Sequence, residues 1–382
     1  MKKLVLCIVA IASCLELTSA SLVAQGGPRE NSGLASIRDG HLMRDGKPWI
    51  PQGFYQVPFE IPPTAFASQP PFWRQAYEGQ GAWEYAEMKA EGADSVRLQI
   101  AQDGANPDNK KHFDAEWLQK AIRAIHQARD AGLTVIVCIQ DEIQTGVPAQ
   151  APLPNENTRR VWSELTPEFG KDRGVLFELY NEPNDIPKDP HPDINQQPTS
   201  QQWQRWADAM NETIRFVRNH GSVNVVVADG LVNAQQLEGA PDLVDPMHQV
   251  LYAAHPYVSG NRADFNQTEQ AWEEKFGHFA RTHPVIISEW GIGFYCDAKT
   301  PRSVASFLKY LRSRGIGLEV GIWDFAPGGF NNMTHGFPHN QFSSFYNAKG
   351  ETCTLNNGFP GYGPGKMIES WYLHGTIPPL PQ

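Results

Sequence analysis

Short runs of branched apolar residues alternate along the chain with amphipathic stretches long enough to be helices. Strand-like runs fall at 49–54, 94–100, 133–139, 175–180, 223–228, 250–254, 285–288 and 318–323. Between them the spacing of apolar positions predicts helices over 82–91, 115–131, 158–169, 200–219, 267–282 and 301–314, since a period near 3.6 marks a helix with one buried face. The segment after the fifth strand carries a weaker signal, and 366–374 reads as a closing helix. Gly92, Gly132, Gly221 and Gly315 each stand just before a strand, where a helix ends. Eight strands alternating with helices suit an α/β closed barrel, the (β/α)8 or TIM barrel, better than an open sheet.

Length agrees with that reading. The chain has 382 residues, whereas a plain barrel needs about 250. The surplus falls in an N-terminal β-hairpin, whose turns are marked by Asp39-Gly40 and Asp45-Gly46, and in elaborated loops after strands 1, 4 and 8. Those loops sit at the C-terminal ends of the strands, where barrel active sites are built. No repeat or linker divides the sequence, so residues 21–382 read as one domain.

Residues 1–20 read separately. Lys2 and Lys3 precede an apolar run from Leu4 to Leu15, and Thr18-Ser19-Ala20 offers small residues for cleavage, with Ala24 a second site. This is the layout of a secretory signal, which predicts a secreted or periplasmic protein. A lipoprotein signal ending at Cys14 is the competing reading, with a lipid anchor as its consequence. No later run approaches the roughly 18 apolar residues of a membrane span.

Composition narrows the function. Aromatic residues make up 11% of the chain and the formal net charge is −10, so the chain should fold, and no basic block offers itself to nucleic acid. Without the first 20 residues, Cys138, Cys296 and Cys353 remain. Cys138 lies in an apolar run and reads as a small buried hydrophobe. Cys296 and Cys353 lie in loop-like segments and are expected to pair as a disulfide in an oxidising compartment. No CxxC or HExxH occurs, and the His335/His339 spacing is broken by Gly336 and Pro338, so neither metal nor cofactor is expected.

The chemistry lies at two strand ends. Strand 4 runs Leu176-Phe177-Glu178-Leu179-Tyr180 into Asn181-Glu182-Pro183, and strand 7 runs Val285-Ile286-Ile287-Ser288 into Glu289-Trp290-Gly291. Strands 4 and 7 face each other across a barrel mouth. Two opposed carboxyls are what glycoside hydrolysis requires: an acid for the leaving oxygen and a carboxylate for the cationic sugar carbon. On strand 2, Val96, Leu98 and Ile100 share one face, which turns Ser95, Arg97 and Gln99 to the interior. A buried guanidinium needs an anionic partner; Glu289 and Glu178 are both candidates.

Asn181-Glu182-Pro183, His255-Pro256-Tyr257, Ser288-Glu289-Trp290-Gly291, Trp323 and the strand-2 Arg97, in this order, resemble glycoside hydrolase family 5, the cellulase family. The resemblance implies a (β/α)8 barrel that cleaves β-glycosides with retention and without a cofactor. It makes Glu182 the general acid/base and Glu289 the nucleophile. Asn181 would bond the sugar 2-hydroxyl, Tyr257 would hold the nucleophile, His255 would line the cleavage point and Trp323 would underlie the sugar.

One position departs from the family. A histidine commonly follows strand 3 there, and this chain has Gln140, which can hydrogen-bond a sugar but cannot titrate. Phe54, Tyr55, Trp73, Phe294, Tyr295, Phe325 and Phe330 are further aromatic candidates for lining subsites. The expected activity is therefore that of a monomeric endo-acting β-1,4-glucanase on a polysaccharide. A β-mannanase or another β-glycosidase on the same residues is the alternative. A sugar-binding protein without catalysis would need a missing carboxylate.

Overall fold

Eight parallel strands close on themselves: β4 (Gln52–Phe59), β5 (Ser95–Ala101), β6 (Thr134–Gln140), β7 (Val175–Glu178), β8 (Val226–Asp229), β9 (Val250–Ala253), β10 (Val285–Trp290) and β11 (Gly317–Val320), with β11 returning to β4. The computed structural model describes residues 32–141, 151–185, 197–257, 268–291, 299–323 and 364–377. Three short antiparallel strands precede the barrel, β1 (Ala35–Arg38), β2 (His41–Arg44) and β3 (Lys47–Pro48).

The apolar runs form barrel strands because both of their faces are covered. Along β6, Val135, Val137 and Ile139 point outward into the large core shared with the helices, while Ile136 points inward with Leu176, Val227, Leu251 and Ile286. β5 and β6 pair without a slip from Ser95 opposite Thr134 to Ala101 opposite Gln140. That register carries Arg97, Gln99 and Gln140 to one wall of the interior. A one-residue slip would reverse every side chain.

Helices α1 (Pro71–Gly79), α2 (Ala82–Ala90), α3 (Gln102–Ala105), α4 (Ala115–Asp130), α5 (Glu156–Phe169), α6 (Ser200–Asn219), α7 (Glu269–Trp272), α8 (Lys299–Arg314) and α9 (Pro364–His374) accompany the strands. Their starts follow local chemistry. Asp114 caps α4, and Asn155 with Thr158 and Thr199 with Gln202 form capping boxes on α5 and α6; each cap contributes about 0.5–2 kcal/mol.

Two elements depart from the sequence expectation. Strand 1 is shifted to Gln52–Phe59, because Trp49 belongs to the turn into the barrel, its indole donating to Asp94 at 2.8 Å. The helix expected over 267–282 is broken into α7, a π turn at Glu273–Gly277 and a 3-10 turn at Phe279–Arg281. Gly277 permits this, since a Cβ there would stand 2.0 Å from the Tyr310 hydroxyl. Between β8 and β9, where the helical signal is weaker, the chain has turns and a Leu231–Gln236 bridge.

The hairpin closes the barrel floor. Ala35 and Leu42 join the inner core, the Ala35 amide donates to the Arg173 carbonyl at 2.9 Å, and Gln249 accepts from the Ile37 amide at 2.8 Å. The opposite end, where the strands finish, is left for the site.

Candidate active site

Arg97 organises the interior. It is fully buried, and it bonds both expected partners at once. Nε and Nη2 donate to Glu178 at 2.7 and 2.8 Å, while Nη1 donates to Glu289 Oε2 at 2.6 Å. Nη2 also reaches Asn181 Oδ1 at 2.6 Å and lies 3.2 Å from Cys138 Sγ. Cys138 is thus free and buried, but it faces the guanidinium rather than an apolar core, because β6 turns its even-numbered positions inward.

Glu289, near the end of β10, receives three donors. Tyr257 donates its hydroxyl to Oε1, and Gln99 Nε2 joins Arg97 at Oε2, at 3.2 Å. Tyr257 is itself hydrogen-bonded to the Tyr55 hydroxyl at 2.7 Å. Such a cage fixes the carboxylate in one orientation.

Glu182 stands across the mouth, just beyond β7. Its Oε1 is 3.1 Å from His255 Nδ1, and its backbone N–H donates to Asp229 Oδ2 at 3.0 Å. Burial raises its pKa, the His255 hydrogen bond works against the rise, and the charge of Glu289 adds to it. Glu182 therefore keeps its proton to higher pH than an ordinary glutamate.

His255 is held by its neighbours on both ring nitrogens. Nε2 lies 2.9 Å from Ser288 Oγ, which donates onward to Glu178 Oε1 at 3.1 Å. Burial alone would lower the His255 pKa, but the neighbouring Asp229 carboxyl and hydrogen bonds to Glu178 and Glu182 outweigh it and raise it above the ordinary imidazole value. The ring is a cation at neutral pH.

Gln140 ends β6 with its amide engaged on both sides. Its Nε2 donates to Glu60 Oε1 at 2.6 Å and its Oε1 accepts from Gln99 Nε2 at 2.7 Å. Trp323 follows β11 and packs on Phe54 with ring centroids 4.8 Å apart. Of the other aromatic candidates, Phe54 is wholly in the core, Tyr55 serves Tyr257, and Trp73 is partly buried beside Tyr55 and Ile61. Phe294, Tyr295, Phe325, Phe330, His335, His339 and the Cys296–Cys353 pair lie outside the described residues.

Glu60, Gln99, Ser288 and Asp229 complete the constellation without having been expected as site residues. Asp229 had a legible signal, an acid closing the apolar run Val225-Val226-Val227-Ala228, the same signal that marked strands 4 and 7. Glu60 had none, because strand 1 was placed several residues too early.

Among the described residues, two groups bring carboxylate and imidazole atoms within 4.8 Å of one another: Glu178, Asp229 and His255, and Glu182, His255 and Glu289. The first is already neutralised by the two Arg97 bonds to Glu178. The second contains the two opposed carboxyls, Glu182 and Glu289, with His255 hydrogen-bonded to Glu182.

A (β/α)8 barrel with two carboxyls facing each other across its mouth, one caged by Arg97 and Tyr257 and the other beside an imidazolium, defines the architecture of a glycoside-cleaving enzyme. The family model described as cellulase (glycosyl hydrolase family 5) matches residues 59–329. The chain belongs to that family. Over 194 residues it is 20% identical to the manganese-dependent endoglucanase Eg5A of Phanerodontia chrysosporium, a match spanning 47% of each chain, or about half of that relative's length. Among solved structures it superposes on the catalytic domain of Thermobifida fusca endoglucanase Cel5A with a TM-score of 0.59 at 15% identity, covering 91% of this chain and 99% of that one. A β-glucanase of Saccharophagus degradans in complex with cellotetraose gives a TM-score of 0.59 at 17% identity, covering 91% and 96%.

Proposed function

We propose that the chain is an exported, endo-acting β-1,4-glucanase that works by double displacement with retention. The observation that carries the mechanism is the approach of Glu182 and Glu289, whose carboxylate oxygens come within 4.8 Å of each other. Retaining glycosidases hold their carboxyls about 5–5.5 Å apart, whereas inverting ones leave about 6.5–9.5 Å for a water. So close an approach of the two carboxyls supports the retaining arrangement.

In the first step Glu289 attacks the anomeric carbon while Glu182 protonates the departing oxygen. Glu182 then becomes an anion against the His255 imidazolium, which stabilises it at 3.1 Å. In the second step Glu182 takes a proton from water, and the water displaces Glu289 from the sugar. Asn181 is oriented for the 2-hydroxyl: Arg97 occupies its Oδ1, which directs the amide nitrogen away from the guanidinium. Trp323, which follows β11, is the residue the family resemblance assigns to underlie the sugar.

A β-1,4-glucan is favoured as substrate by the family and by the endoglucanase and β-glucanase names of its relatives. A net charge of −10 supplies no attraction for acidic polysaccharides. Export is supported by Lys2, Lys3, the apolar run and the small residues before Ser21. The test is a panel of neutral β-glucans and β-mannans with product-length analysis and NMR of the first-formed anomer. Mixed internal fragments of β-anomeric glucan are expected. Faster cleavage of mannan, release of single sugars only, or an α-anomeric first product each rejects the corresponding part of the reading.

A further inference from the structure

Asp229 takes no part in the two displacement steps, yet it lies fully buried directly beneath the acid/base. It closes β8, and its Oδ2 accepts the peptide N–H of Glu182 at 3.0 Å. Glu182 adopts a φ of 48°. That left-handed conformation is costly for a residue with a side chain, on the order of 1–3 kcal/mol, and persists only where the surroundings impose it. On the other side of Glu182's peptide, the Asn181 amide is fixed to the Ile139 carbonyl at 2.8 Å. The Asp229 bond is therefore one of the restraints that turn the Glu182 side chain into the mouth.

The second oxygen of Asp229 supplies an independent observation. Oδ1 is buried and has no hydrogen-bond donor, although a Glu178 carboxylate oxygen stands within 4.8 Å of the Asp229 carboxyl. A proton on Asp229 would relieve the repulsion between these two buried carboxyls and give Asp229 a hydrogen to donate toward Glu178. Glu178 already accepts from Arg97 twice and from Ser288, so it is the ionised member and Asp229 carries the hydrogen. Burial, and then the charge of Glu178, push the Asp229 pKa well up.

The charges around it balance. Glu178 on β7, Glu182 beyond it, Glu289 on β10 and Asp229 face Arg97 on β5 and the imidazolium of His255, with the neutral Cys138 thiol on β6. Four carboxyls and two cations are neutral together when two of the acids hold protons. Burial raises the pKa of both Asp229 and Glu182.

We propose that Asp229 is the positioning residue of the acid/base: a neutral carboxylic acid that donates its hydroxyl to Glu178 and, through its carbonyl oxygen, holds the Glu182 peptide N–H. The proposal rests on Glu182 being the acid/base. It makes a definite distinction between two substitutions. Asp229→Asn keeps one donor and one acceptor in the same places, whereas Asp229→Ala removes both and leaves the Glu182 amide unpaired.

The test compares kcat/KM for two cellobiosides, one with a 2,4-dinitrophenyl leaving group that needs no acid and one with a phenyl leaving group that does. Rates are expressed per site titrated with 2,4-dinitrophenyl 2-deoxy-2-fluoro-cellobioside, so only molecules with a competent Glu289 are counted. Asp229→Ala is expected to lose about 10–100-fold on the phenyl glycoside, a fraction of the ~10²–10⁴ that general acid catalysis supplies, and less than about threefold on the dinitrophenyl one. Asp229→Asn is expected to recover most of that loss. Equal losses on both substrates in Asp229→Ala, or an Asp229→Asn variant as impaired as Asp229→Ala, would overturn the proposal. Absence of labelling in the parent enzyme would instead reject the retaining mechanism itself, and the positioning role with it.

Discussion

Glu60 and Glu289 sit at the two ends of one chain of side-chain hydrogen bonds, carried by Gln140 and Gln99. Burial and then the charge of Glu289 raise the Glu60 pKa to about 8. The two carboxyls are thus coupled through space and through the amides. In Glu289→Gln the neighbouring charge is gone, and Glu60 should titrate at a lower pH than in the parent. Carboxyl 13C NMR across pH 4 to 10 reads this directly; an unchanged Glu60 titration would show that the two groups do not interact.

Glu84 and Gln56 predict a pH-dependent stability. Gln56 donates to Glu84 Oε2, and the remaining oxygens, Gln56 Oε1 and Glu84 Oε1, are buried without a donor. One proton on Glu84 satisfies both. Burial raises that pKa from 4.5 to about 8, so the folded state binds the proton more tightly than the unfolded chain. The stabilisation is complete below the unfolded value, and is lost as pH rises toward and through 8. Glu84→Gln should flatten the fall in Tm between pH 5 and 8, contributing on the order of 1–3 kcal/mol at the alkaline end. Thermal melts at each pH provide the measurement.

The division of labour proposed for Glu182 and Glu289 is expected to appear as rescue. Glu289→Ala should be inactive on every substrate, while Glu182→Ala should keep its first step on good leaving groups and lose about 10²–10⁴ on poor ones. Azide should restore turnover in Glu182→Ala and yield a β-glycosyl azide. A β-azide from Glu289→Ala, or an α-azide from Glu182→Ala, would reverse the roles.

Arg97→Lys should cost both stability and rate. Lysine offers a point charge where arginine presents a planar fork, and it cannot bridge Glu178 and Glu289 as Arg97 does. Breaking a buried pair costs about 3–5 kcal/mol, so a clear drop in Tm is expected together with a fall in kcat of about 100-fold. A variant with the parent's Tm would show that the pair is not needed for folding.

The barrel was legible because its strands are apolar on both faces and because glycines punctuate the helix ends. Ser200–Asn219 was read to the residue, its capping residue and period both being local. What escaped was set by packing at a distance. The helix α1 begins inside the cluster Pro70-Pro71, where proline suggests a loop but suits a first helical turn. The π turn at Glu273–Gly277 answers to Tyr310, which is far along the chain. At the site, residue type and strand position were enough for Arg97, Glu182 and Glu289. They could not show that one guanidinium serves both Glu178 and Glu289, since that depends on register across three strands.

The hairpin on the barrel floor fixes how the enzyme is presented. Gly33 lies against Thr134 and Arg129 at the start of the barrel strands, so chain preceding Ser32 joins the molecule at the end opposite Glu182 and Glu289. Anything held through that segment, whether a surface or a fused module, would meet the back of the barrel. The strand ends that carry Glu182 and Glu289 then lie on the far side of the barrel from that attachment.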